Sequence, residues 1–226
     1  KPARVEASGS RSRWADIVGV SISEGRVVSP PRRFQDRADP ALVITRDGVA
    51  RIDRFDGVGE AGDIVAAVAG VGPSEKESSL DAMLVTGGEN TGVRTRVAPL
   101  ERHPRTALGV TRDGRQILLV VIDGRQPSWS VGVTLPELAD FMISKGAFDA
   151  INLDGGGSSS FVLIPVSVAA EREGSPRSVL NKPSDGSFRP VANHFGIRIR
   201  VAIRGEGEPV GALPPGGDSS APRSAT

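Results

Sequence analysis

Apolar positions along this chain fall in short runs punctuated by glycine, proline and aspartate. Ile17-Val18-Gly19-Val20-Ser21-Ile22 and Arg26-Val27-Val28 flank Glu24-Gly25 and predict a hairpin, which Ser29-Pro30-Pro31 ends. Residues 41–44 and 49–52 flank Asp47-Gly48, and residues 107–110 and 116–119 flank Asp113-Gly114. Asp-Gly between apolar runs is a strong hairpin signal, because both residues tolerate the positive φ of a tight turn. Residues 64–68 and 82–85 read as strands within a Gly-rich, irregular stretch. Residues 117–122, Ile-Leu-Leu-Val-Val-Ile, form the continuous apolar run of a strand covered on both faces. The period then changes. Thr134 with Glu137 makes a capping box, and Pro136 suits a first helical turn. Leu135, Leu138, Ala139 and Met142 make one apolar stripe, and Lys145-Gly146 stops the helix. Residues 148–153 read as the next strand, 161–168 as a further strand, and 195–203 as an alternating, half-buried closing strand. The predicted fold class is α/β in the mixed α+β sense. It is a β-rich domain with a central mixed sheet, Asp-Gly hairpins and at least one strand–helix–strand crossover.

Three segments are expected: a flexible lead-in over residues 1–13, the domain over 14–203, and a Gly/Pro/Ser-rich disordered tail over 204–226. The length of 226 residues and 38% hydrophobic content allow a sizeable core. The net charge of +1, with arginines scattered along the chain, argues against a nucleic-acid binder, which concentrates its basic residues on one face. Cysteine is absent, which excludes disulfides, thiolate metal sites and cysteine nucleophiles. The two histidines, His103 and His194, are too few for a multi-histidine metal centre. No cofactor is expected; a hard divalent cation would have only aspartates to hold it. No apolar run reaches bilayer-spanning length, and no signal peptide is recognisable. A chain that begins at Lys1 is expected to be a mature product or a fragment.

The candidate chemistry collects where the crossover places it. If 117–122 and 148–153 run parallel in one sheet, Asp123 and Asp154 sit at the same edge, where ligands of such sheets bind. Asp154 lies in Asn152-Leu153-Asp154-Gly155-Gly156-Gly157-Ser158-Ser159-Ser160. Gly155, Gly156 and Gly157 permit close backbone approach, with amide groups free to face an anion. The Ser158 and Ser159 hydroxyls could donate to phosphate oxygens. Arg105, Arg125 and Arg189 are candidates for bidentate phosphate contacts. Two carboxylates at one edge suit general acid/base work, or a nucleophile paired with an acid; in glycoside hydrolysis their separation decides which. A serine nucleophile lacks an identified histidine base and a Gly-x-Ser-x-Gly elbow. A nucleotide-binding loop lacks its Gly-Lys-Ser/Thr ending. Neither histidine is given a catalytic role.

Five segments together resemble the phosphodiester glycosidase family. They are His103-Pro104-Arg105-Thr106-Ala107-Leu108-Gly109, Val121-Ile122-Asp123-Gly124-Arg125-Gln126, the stretch from Ser130 to Ala139, Asn152 to Ser159, and Asn181-Lys182-Pro183-Ser184-Asp185-Gly186 with Arg189-Pro190-Val191-Ala192-Asn193. The resemblance implies a domain that cleaves a sugar from a sugar-1-phosphate phosphodiester, acting on cell-envelope, exopolysaccharide or related phosphoglycans. It implies an extracytoplasmic setting, secreted or envelope-associated. By position it implies Asp154 and Asp123 as the catalytic pair, in unassigned order. Arg105, Thr106, Arg125, Gly155, Gly156, Gly157, Ser158, Ser159 and Arg189 would then bind substrate. A carbohydrate- or phosphoglycan-binding module of the same fold is the alternative. Two departures stand out: Phe188 replaces an expected polar residue, and no Asn-Gly-x-Phe segment precedes Trp14. The second leads to the expectation that an upstream segment of a precursor, or another copy, completes the domain.

Overall fold

Alternation assigns the residues of two antiparallel sheets to their layers. The structure is a computed structural model that describes residues 4–5, 13–14, 17–55, 61–164 and 178–198. The first sheet is built from β1 (Ser21–Ser23), β2 (Arg26–Ser29), β3 (Ala41–Thr45), β4 (Ala50–Asp53) and β5 (Ile64–Ala69), in the order β2-β1-β5-β3-β4. The second comprises β6 (Met83–Thr86), β7 (Glu89–Asn90), β8 (Arg105–Val110), β9 (Ile117–Ile122) and β10 (Asp149–Asn152), in the order β7-β6-β10-β8-β9. Between β9 and β10 lies the helix α1 (Leu135–Ser144).

Along β3, Ala41 and Val43 face a cluster with Val20, Ile22, Phe55, Ile64 and Ala67. Leu42 faces the other way, into a cluster with Ala50, Leu108, Val110 and Ile151 that joins the two sheets. The far face of the second sheet is covered by α1, whose buried residues are Leu135, Leu138, Ala139 and Met142. Each large side chain buried there contributes on the order of 2 kcal/mol. Both halves of the capping box form, with Glu137 N donating to Thr134 Oγ1 and Thr134 N donating to the Glu137 carboxylate.

The sandwich explains the continuous apolar run of β9. Leu118, Val120 and Ile122 pack toward the helix, while Ile117 and Leu119 pack toward the first sheet. The mixed sheet is not seen: every pairing between these strands is antiparallel. β9 and β10 nevertheless run in the same direction, because both pair antiparallel with β8, which lies between them. Of the strand expected over 161–168, Val162–Leu163 forms β11, and residues 165–168 lie outside the described residues. β11 pairs with β12 (Ser178–Val179) in an exposed ribbon rather than in the core. Residues 195–198 are not strand, although Phe195 packs against the inter-sheet cluster. In the lead-in, Arg4–Val5 pairs with Arg13–Trp14. The rest of the lead-in, the remainder of the expected closing strand and the tail over 204–226 lie outside the described residues. Among those residues, no helix is long and apolar enough to cross a membrane.

Candidate active site

Register brings the two aspartates to one end of the second sheet. Arg105 at the start of β8 pairs with Ile122 at the end of β9. On its other side β8 pairs Ala107 with Asn152, and Leu153 N donates to Thr106 O at 2.9 Å. Asp123 and Asp154 therefore leave the sheet at the same end, one strand apart. Two inter-strand spacings set their backbones about 10 Å apart.

Asp154 is exposed, and among the described residues its carboxylate accepts only the Gly155 amide, at 3.0 Å. The backbone then turns through a single 3-10 turn, Gly156–Ser158. Gly156 has φ 61°, and its amide donates to Pro104 O at 2.9 Å. The expectation of amides free to face an anion needs correction at Gly155 and Gly156. The Gly155 amide goes to Asp154, Gly156 to Pro104, and those of Ser158 and Ser159 to Gly155 and Gly156 carbonyls. Short polar turns satisfy their own donors when they can. The missing side chains serve a different purpose. A Cβ on Gly156 would lie 3.0 Å from Arg125 Nη1, and one on Gly157 would fall inside the Asp185 carboxylate, 2.5 Å from Arg189 Nη2. The glycines thus let charged side chains, rather than only backbone, close over the loop.

Arg125 holds a left-handed backbone, φ 58°, uncommon for a residue with a Cβ. Its Nε donates to His103 Nδ1 at 3.4 Å, and His103 Nε2 lies 3.1 Å from Glu101 Oε2. A guanidinium can only donate, so Nδ1 accepts and the imidazole proton is assigned to Nε2, facing the carboxylate. Arg189 donates from Nε and Nη2 to Asp185 Oδ2, at 3.1 and 2.7 Å. Two exposed cations, one partnered by a histidine and one by a carboxylate, therefore stand over Gly156 and Gly157.

Asp123 is differently employed. Its Oδ1 accepts from Asn181 Nδ2 and its Oδ2 from Trp129 Nε1, at 3.0 and 2.8 Å, and the Lys182 amide lies 3.0 Å from both oxygens. Partial burial pushes its carboxyl up, but hydrogen bonds from Trp129, Asn181 and the Lys182 amide, with the Lys182 charge, outweigh this and hold it below the ordinary aspartate value. Asn181 Nδ2 also donates to Ser159 O at 3.0 Å. Asp123 is thus a clasp joining the end of β9, the 126–130 turn, the 181–182 segment and the glycine loop.

Arg105 departs most from expectation. It is 2% exposed, and its guanidinium donates to the carbonyls of Val97, Ala98, Glu101 and Val133. Burial, then the positive charge of Arg125, lower its pKa to about 10 against the opposing Glu101 carboxylate, so it stays charged at neutral pH. It fastens the 97–101 loop to β8 and presents no face to a ligand. Thr106 Oγ1 donates to Ser159 Oγ at 3.2 Å, and Ser159 is buried, so this pair braces the loop from below. Ser158 is half-buried at the turn. The residues missed from sequence are His103, Asp185, Trp129 and Asn181. Asp185 and Asn181 lie in a recognised segment, and His103 precedes Pro104 within another. Trp129 carried no spacing signal. Among the described residues no cluster of three or more acidic or histidine side chains could hold a metal.

The chain belongs to the phosphodiester glycosidase family, whose pattern matches residues 4–198. It is 46% identical over 59 residues to N-acetylglucosamine-1-phosphodiester alpha-N-acetylglucosaminidase of Bos taurus, covering 26% of this chain and 11% of that protein. It is 33% identical over 96 residues to the SPbeta prophage-derived uncharacterized protein YomE of Bacillus subtilis strain 168, covering 42% of this chain and 13% of the relative. The chain therefore spans about a tenth of the length of these curated relatives. Among solved structures it is similar to the zebrafish N-acetylglucosamine-1-phosphodiester alpha-N-acetylglucosaminidase catalytic domain auto-inhibited by pro-peptide. That match has a TM-score of 0.49 and 22% identity, over 64% of this chain and 48% of the other.

Proposed function

We propose that this protein hydrolyses the bond between a sugar C1 and the phosphate of a sugar-1-phosphate diester, with N-acetylglucosamine as the first sugar to test. Cell-envelope or exopolysaccharide phosphoglycans outside the cytoplasm are the proposed source. The observation that carries the reading is the exposed Asp154 carboxylate at the end of β10, next to a glycine loop overlaid by Arg125 and Arg189. Ser158 adds a hydroxyl at the same turn.

The leaving group explains why one free carboxylate suffices. A phosphate monoester has its second pKa near 6, so it departs as an anion without a proton from a general acid. The guanidiniums of Arg125 and Arg189 stabilise the charge that develops on it. Acting as base, Asp154 takes a proton from water as the water oxygen bonds to C1, and the C1–O bond breaks with its electron pair going to phosphate. Acting as nucleophile, Asp154 first bonds to C1 itself, and water then hydrolyses the sugar ester. In this reading Asp123 positions the site, and Arg105 and Thr106 support it.

Release of N-acetylglucosamine from its methyl phosphodiester tests the proposal, with Asp154→Asn expected to lower kcat by about a thousand-fold or more. The commitment of the Asp123 carboxylate to three donors favours a second reading, a phosphoglycan-binding module. Binding of the diester by the wild-type protein without sugar release would establish that reading instead.

A further inference from the structure

Trp129 is 63% exposed. An indole can bury on the order of 200 Å², so an open ring offers a large surface to a ligand. This one is also fixed in place. Its Nε1 donates to Asp123, its amide donates to Gln126 O at 2.8 Å, and Ser130 Oγ donates to Asp123 O at 2.6 Å. The Lys182 ammonium lies 5.6 Å from the ring centroid, and Lys182 O accepts from Gln126 Nε2 at 2.8 Å. Ring, ammonium and Asp123 carboxylate are thus tied into one body at the end of the edge strand β9.

We propose that the Trp129 indole, with the Lys182 ammonium beside it, is the platform for a saccharide ring attached to the far side of the phosphate from Asp154. This rests on the phosphodiester reading given above. The strand ends of Asp154 and Asp123 are about 10 Å apart across β8. A sugar at Asp154 with its phosphate at Arg125 occupies that span, so the group esterified to the phosphate arrives at Trp129. The ring-face C–H bonds of a pyranose carry partial positive charge and suit the negative face of an indole. Its hydroxyls find a donor in the Lys182 ammonium and an acceptor in the Gln126 side-chain carbonyl. An apolar peptide would meet a single aromatic ring among these polar groups.

The test compares two diesters of N-acetylglucosamine 1-phosphate, one to methanol and one to the primary hydroxyl of methyl glucoside. Trp129→Ala also removes a donor from Asp123 and so is expected to lower kcat/KM for both diesters, but for the glucoside diester by about ten-fold or more beyond its effect on the methyl diester. Trp129→Phe, which keeps a ring but loses the Nε1 bond, is expected to recover most of the loss. Equal losses on both substrates, or a Trp129→Phe variant no better than Trp129→Ala, would make Trp129 a structural appendage of Asp123 and overturn the proposal, as would no loss on either. If the wild type releases sugar from neither diester, the hydrolase reading fails by itself. Calorimetric titration with the same two diesters then decides the platform: tighter binding of the glucoside diester, lost in Trp129→Ala, supports it, and equal binding rejects it.

Discussion

Asp123→Asn separates a positioning carboxylate from a reacting one. The substitution keeps the shape and exchanges one oxygen for an NH2 group. Oδ1 faces Asn181 Nδ2 and the Lys182 amide, and Oδ2 faces Trp129 Nε1 and the same amide, so either orientation sets a donor against donors. Hydrogen bonds to a charged acceptor contribute about 1.5–3 kcal/mol each. With the site partly open to water the lower end applies, and the net loss is about 2–4 kcal/mol. Urea denaturation should show the midpoint falling by about 1 M. The loosened 181–182 segment should raise KM for the methyl diester by about ten-fold while kcat stays within about five-fold, because no group at the reacting carbon changes. The acid limb supplies an internal check. The folded-state pKa of Asp123 lies below its unfolded value, about 3.9. Its contribution is therefore fully present above pH 4 and is lost as pH falls through the lower folded value, so the stability gap between wild type and variant should narrow there. A kcat loss of a thousand-fold with KM and the urea midpoint unchanged would refute this reasoning and restore Asp123 to the catalytic pair.

Arg105→Lys should cost about 2–5 kcal/mol in urea denaturation, because an ammonium cannot reach four separate carbonyls and leaves some unpaired. Unchanged stability with lost diester binding would return Arg105 to the ligand-binding set. Gly157→Ala should displace Asp185 and Arg189 and raise KM, and in an Asp185→Ala background it should do much less. Equal effects in both backgrounds, measured as KM for the methyl diester, would show that the close approach has no functional consequence.

The helix was legible because its signals agree. Thr134, Glu137 and the stripe from Leu135 to Met142 are local, and every one of those stripe residues is buried. The shared end of Asp123 and Asp154 was legible for a related reason: strand direction survives the insertion of β8 between β9 and β10. The hairpin of 107–110 with 116–119 was legible from Asp113-Gly114, but the second pairing of β8, with β10, was not, since a partner far along the chain is a long-range property that a local run does not encode. The apolar run after Ser160 reads as a further strand, and its described part, Val162–Leu163, lies in an exposed ribbon. At the candidate site, the residue types read at strand ends do come together at one end of the sheet, with partners that their sequence positions did not show. Arg105 and Arg125 look alike in sequence. One donates into the 97–101 loop and the other lies over Gly156, a difference set by burial and by side-chain direction from β8. The Asp123 clasp depends on partners 58 residues away.

The division of labour around Asp123 bears on how such a site can change over time. The pieces proposed to hold the scissile bond, the end of β10 and its glycine loop, stand on the sandwich and are braced by Thr106 and Pro104. The 126–130 turn and the 181–182 segment meet at the margin, through the Asp123 carboxylate and the bond from Gln126 to Lys182 O. Substitutions in those outer segments can alter which leaving group is welcomed while the breaking of the bond is left intact. A lineage that keeps Asp123 is free to redraft its substrate range one surface residue at a time.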